Sequence, residues 1–218
     1  MTGLAGLALA SAAFVGSHFL LSHPLRSPFV KAVGERPFQG IYSLVAVVTF
    51  ATMIWAYGRV GNQSPLWSAS DAIWVIGSVL MWLASILLVG SFIRNPALPG
   101  ARGPAGAPAG VFAITRHPMM WSFALWAIVH AVVIATPKAL VLDGAILLLA
   151  LGGAALQDRK KAAQFGDRWH EWTAQTAFVP FTRGLANPGP VAFAGGTILF
   201  FVATWVHPMD AGFWRWIG

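Results

Sequence analysis

Long apolar runs separated by short charged segments dominate the 218-residue chain. Six of these runs approach the ~20 residues an α-helix needs to cross a hydrocarbon core of ~30 Å. They lie near 3–22, 38–57, 72–93, 117–136, 139–157 and 189–207, the last with Pro188 and Pro190 crowding its start. Most carry no polar stripe at helical spacing, as expected for helices that meet lipid on one side and protein on the other. The pattern predicts an all-α, polytopic membrane bundle of six transmembrane helices, one domain over residues 1–218. Residues 1–21 lack a basic start and a small-residue cleavage site, so they read as a retained first helix rather than a signal peptide.

Two connecting segments depart from the pattern. Residues 95–110 are rich in Pro, Gly and Ala and predict a flexible loop. Residues 158–178 begin with Asp158, Arg159, Lys160 and Lys161, then place Trp169, Trp172 and Phe178 among polar residues. That order predicts an amphipathic helix at the membrane interface, with its aromatics at headgroup level.

Composition agrees. The chain is 57% hydrophobic and 10% charged, against about 25% charged in a soluble domain. The net charge of +7 would suggest nucleic acid in a soluble protein. Here the basic residues sit between apolar runs and set topology instead. Alternate connections hold Arg26, Lys31, Arg36, Arg94, Arg102, Arg116, Arg159, Lys160, Lys161, Arg168 and Arg183 on one side, and Arg59, Lys138 and Arg215 on the other. The positive-inside rule puts the first set in the cytoplasm. Both termini are then periplasmic, as in a bacterial inner-membrane protein. No cysteine is present, which excludes disulfides, thiolate metal sites and a cysteine nucleophile.

Ionisable residues within spans are costly and mark functional sites. His18 and His130 fall inside predicted helices, and Asp143 falls near the outer end of the fifth. Two buried imidazoles suit haem or another metal, or each bonds a neighbouring helix and does nothing more. Arg116, His117 and Pro118 open the fourth helix. Pro118 needs no more than a helix start, whereas Arg116 and His117 either anchor the interface or hold an anion at the helix N-terminus. Asp158 and Arg159 directly follow the fifth run. If Asp158 points back at Arg116, it ties two cytoplasmic segments together.

Through these residues the chain resembles the NnrU family of membrane proteins, which includes the zeta-carotene isomerases. The resemblance runs through Gly16-Ser17-His18, Val33-Gly34-Glu35-Arg36, Ile114-Thr115-Arg116-His117-Pro118, Trp126 to His130, Asp158-Arg159-Lys160, Phe165-Gly166, Val179-Pro180-Phe181 and His207-Pro208. It covers nearly the whole chain. It implies haem b held by His18 and His130, and cis–trans isomerisation of a carotenoid-like polyene drawn from membrane lipid. Arg116, His117, Asp158 and Arg159 would then close the cytoplasmic end, where charge and position suit the haem propionates. By depth, His18 and His130 differ by about 13 Å at ~1.5 Å per residue, so His117 is an alternative ligand. The bacterial branch of the family is associated with nitric oxide and denitrification, which implies a non-catalytic alternative. A second resemblance, to membrane methyltransferases using S-adenosylmethionine, rests on Arg116-His117-Pro118, Phe165-Gly166, Trp169, Trp172 and Val179-Pro180. The chain departs from that pattern at Met119-Met120 and at Gln157-Asp158-Arg159, where paired glutamates are usual.

Overall fold

A computed structural model describes residues 3–98 and 100–217; Met1, Thr2, Pro99 and Gly218 lie outside the described residues. The described residues are helical and irregular, with no strand. The fold is an all-α membrane bundle. Four helices are long and apolar enough to cross a membrane: α1 (Gly3–Ser22), α3 (Glu35–Arg59), α4 (Asp71–Gly90) and α7 (Pro137–Phe165). Two shorter apolar helices, α6 (Pro118–Ile134) and α9 (Pro190–Trp205), complete the six predicted runs. Between them lie the short helices α2 (Arg26–Val33), α5 (Val111–Ile114) and α8 (Asp167–Gln175), and a 3-10 turn over Gly212–Trp216 closes the order.

Contacts group the chain into two compact units, described separately. The first comprises residues 1–68 and 130–149. Here α1 packs along α3, with α2 turning the chain between them. Gly34 makes the α2–α3 turn at φ 87°, a left-handed conformation that glycine adopts without steric cost. An Arg26–Glu35 ion pair of 2.6 Å spans the same corner. Leu7, Phe14, Phe38 and Met53 form the apolar interior. Beyond α3 the chain is tied to the α6–α7 turn: the Leu66 amide donates to Ala135 O at 2.8 Å, the Trp67 indole to Val132 O at 2.8 Å, and the Lys138 amide to Gln63 Oε1 at 2.8 Å. Ala135 ends α6 with φ 52°. The next residue, Thr136, then caps α7 by accepting from the Ala139 amide at 3.4 Å, with Pro137 at the first helical position, where a missing N–H costs nothing.

The second unit comprises residues 69–129 and 150–218. Its frame is the α4–α9 pair, and small residues let these helices approach closely. A Cβ at Gly196 would lie 2.4 Å from Ile86 Cα, and one at Gly90 would lie 2.3 Å from Val111 Cγ1. The Trp82 indole donates across the pair to Thr197 Oγ1 at 2.9 Å. Around this frame Ile86, Leu87, Ala97, Val111, Phe112, Ile114, Trp169, Trp172 and Ala192 form one buried core.

One expectation is corrected. The segment over 158–178 is not a single helix. α7 continues for 29 residues to Phe165, about 43 Å at ~1.5 Å per residue, so its turns from Asp158 onward run beyond the apolar stretch. Gly166, at φ 56°, separates α7 from α8. Within α8, Trp169 and Trp172 are 1% and 6% exposed and belong to the core, because Phe165 and Phe112 give that face aromatic partners. The 95–110 loop touches its neighbours in two places: Gln157 donates to Ala97 O at 3.4 Å, and Gly103 presses on the Phe165 ring. Asp143 is buried within the first unit, 2% exposed.

Candidate functional site

The densest polar constellation is built where α6 begins. Thr115 is extended, with φ −155° and ψ 145°, so its backbone runs beside residues 176–181 instead of continuing α5. The Arg116 amide donates to Ala177 O at 2.9 Å, and the Phe181 amide to Ile114 O at 3.2 Å. Thr115 Oγ1 donates to Phe178 O at 2.7 Å, and the Trp121 indole donates to the same carbonyl at 2.7 Å. These bonds satisfy backbone groups that two irregular segments would otherwise bury unpaired. They also fix where the next two side chains point.

Arg116 and His117 both reach Asp158, on the emerging end of α7. Arg116 Nη2 lies 2.7 Å from Asp158 Oδ2, and its Nε donates to both carboxylate oxygens at 3.1 and 2.9 Å. Arg116 Nη1 donates to Thr176 O at 3.2 Å. His117 Nε2 lies 2.9 Å from Asp158 Oδ1. A carboxylate only accepts, so Nε2 carries the proton in this bond. Phe178 sits against both, 5.2 Å from the Arg116 guanidinium carbon and 5.2 Å from the His117 ring centroid. Burial alone would raise the Asp158 carboxyl. The hydrogen bonds from His117 and Arg116, with the charge beside it, instead hold it below the ordinary carboxylate value. His117 is fully buried, and its Nδ1 has no hydrogen-bond partner. Arg159, the next residue of α7, is exposed.

The structure thus joins Arg116, His117 and Asp158 within the second unit. Thr115, Trp121 and Phe178 complete the cluster. The sequence signal that marks the last of these is the Val179-Pro180-Phe181 block beside it, where Phe181 takes φ 64°.

His18 lies elsewhere, in the first unit. Its Nδ1 is 2.8 Å from Phe14 O. A carbonyl cannot donate, so Nδ1 holds the hydrogen and Nε2 of the neutral ring presents its lone pair. Phe14 and Tyr42 flank the imidazole edge-on, at 4.5 and 5.6 Å between centroids. His130 is half-buried near the end of α6 and belongs to the same unit as His18. No group of three or more His, Cys, Asp or Glu side chains suited to a metal ion occurs among the described residues.

This arrangement can do two kinds of chemistry. A histidine whose Nδ1–H is fixed by a main-chain carbonyl is prepared to ligate a metal through Nε2. An arginine, histidine and carboxylate locked together form a rigid polar closure rather than an open acid–base site.

A family model described as NnrU protein matches residues 6–214. The 15-cis-zeta-carotene isomerase, chloroplastic, of Arabidopsis thaliana is 24% identical over 168 residues, covering 72% of this chain and 44% of that protein. The chain therefore spans less than half the length of that relative. No solved structure matches.

Proposed function

Because the chain belongs to the NnrU family, we propose that it is a haem-b-binding membrane protein that isomerises a cis double bond in a carotenoid-like polyene. The similarity to a protein named as a zeta-carotene isomerase supports the reaction class. The observation that carries the cofactor reading is His18, whose Nδ1–H is spent on the Phe14 carbonyl while Nε2 stays available. Main-chain fixation of one ring nitrogen is the usual support for a metal-bound imidazole. The His18 imidazole suits such a group on this ground, and His18 and His130 would hold the iron. When bound, haem would supply a redox-gated iron that lowers the barrier to rotation about a double bond.

The protein's own residues do the rest. Phe14 and Tyr42 give the His18 ring an aromatic surround, suited to an apolar substrate arriving from lipid. Arg116, His117 and Asp158 hold the α6 start against the end of α7. Arg159 stands beside them in solvent. Most Arg116 donors are already engaged, so its first role is to lock that corner of the second unit.

Visible spectra of detergent-purified protein, oxidised and dithionite-reduced, test the reading. Sharp reduced-state α and β bands with about one protohaem per chain are expected for bis-histidine ligation. His18→Ala and His130→Ala should each abolish that spectrum. A featureless spectrum after haem addition would sink the proposal, and loss only in His117→Ala would move the ligand.

A further inference from the structure

Four indole N–H groups find acceptors within the fold. Trp67 donates to Val132 O, Trp82 to Thr197 Oγ1, Trp121 to Phe178 O and Trp214 to Phe201 O. Two exceptions stand out, and they are neighbours. Trp169 and Trp172 lie three residues apart on α8, on one helical face. Both are more than nine-tenths buried, and neither Nε1 meets an acceptor. A buried donor without a partner is destabilising, so two on one face of α8 ask for an acceptor that the described residues do not supply.

The charge around them says what kind. Phe165 stacks on Trp169 with 6.4 Å between centroids. Two cations bracket that phenyl ring, Lys161 Nζ at 5.1 Å and Arg168 Cζ at 5.6 Å from its centroid. Lys161 is itself 6% exposed. Gly103 lies against Phe165, in a loop whose glycines 100, 103, 106 and 110 are all at positive φ. Two unpaired donors on one face of α8, next to a ring that holds two cations and beside helix turns that run beyond an apolar span, match an oxyanion at headgroup depth.

We propose that the α7–α8 corner of the second unit binds the phosphodiester headgroup of an anionic membrane lipid. The Trp169 and Trp172 indoles donate to its oxygens, and Lys161 and Arg168 supply the counter-charge. Access needs residues 100–110 to lift from Phe165. The site is independent of His18, His130 and haem.

Native mass spectrometry of delipidated protein tests this with added phosphatidylglycerol, phosphatidylcholine or inorganic phosphate. The wild type should retain about one phosphatidylglycerol per chain and prefer it to phosphatidylcholine. W169F and W172F keep the ring and delete the donor. The double variant should bind phosphatidylglycerol at least about tenfold more weakly. Thermal melts keep the test sound. Without lipid the double variant should be as stable as the wild type or more so, and added phosphatidylglycerol should raise the melting temperature of the wild type alone. Unchanged lipid binding in the double variant would overturn the proposal and make the indoles an internal packing defect. Binding of phosphate that displaces the lipid would overturn the lipid source in favour of a free anion. Equal retention of both lipids would overturn the charge argument.

Discussion

Asp158 concentrates the energetics of its region in one side chain. It accepts from Arg116 and from His117 at once, so removing its charge strands a cation and a buried imidazole together. Breaking one partner of such a pair costs about 3 kcal/mol when burial is substantial. Asp158→Asn should therefore lower the stability of detergent-solubilised protein by roughly 1–3 kcal/mol at pH 7, measured by thermal or denaturant unfolding. The pH dependence follows from the depressed carboxyl. A group whose folded value lies below its unfolded value, near 4, stabilises fully above that value. The contribution is lost as pH falls through the lower folded value. The gap between wild type and Asp158→Asn should hold from pH 7 to about 5 and close below about 4. A gap that stays constant to pH 3 would mean that Asp158 acts through packing alone. That Asp158 could face Arg116 was legible in the sequence, since each stands at the end of an apolar run. The engagement of His117 by the same carboxylate was not, because Thr115 and the 176–181 segment aim that ring. Nor was the inward turn of Trp169 and Trp172. Their three-residue spacing puts them on one face of α8, and it is Phe112 and Phe165, from other helices, that give this face its partners.

At the scale of the element, the six runs of apolar sequence became six apolar helices with ends shifted by a few residues. Hydropathy reads length well, because a helix in lipid must bond its own backbone throughout. It reads charged ends poorly. α7 continues through Arg159, Lys160 and Lys161 to Phe165, since a helix that has already formed adds turns at little cost until Gly166 breaks it. Packing between elements was also hidden. Gly196 has the look of an ordinary small residue, yet its Cα faces the α4 backbone at Ile86. Gly196→Leu should force α4 and α9 apart and cost about 1–3 kcal/mol or more. The Trp82–Thr197 hydrogen bond would go with it, as a change in tryptophan fluorescence should report. Melting and emission like the wild type's would show that α9 does not depend on this contact.

For the whole molecule, the distribution of charge makes the sharpest claim. Eleven basic side chains fall on alternate connections and three on the others, and the positive-inside rule predicts from this that both termini are non-cytoplasmic. Reporter fusions active only outside the cytoplasm should light up at residue 1 and at residue 218, and a reporter inserted after Gly106 should stay dark. A dark C-terminal fusion with a bright N-terminal one would mean that α6 or α9, the two short helices, fails to cross. The fold class was legible at this scale because lipid as solvent leaves few options for the backbone. The division of contacts into two units was not, since α6 and α7 each contribute to both and the apolar pattern runs through the boundary without a mark.

The clasp between Arg116 and Asp158 joins residues 42 apart in sequence, and that separation orders events in time. Arg116 leaves the ribosome first, and at ~5–20 residues per second its counter-charge follows only after a few seconds. Until then the guanidinium has to wait in water, and α6 has no fixed mouth. Only when the last turns of α7 emerge can the arginine be neutralised and the histidine beside it be sealed from solvent. A chain stalled or cut before residue 158 would carry Arg116 without this counter-charge.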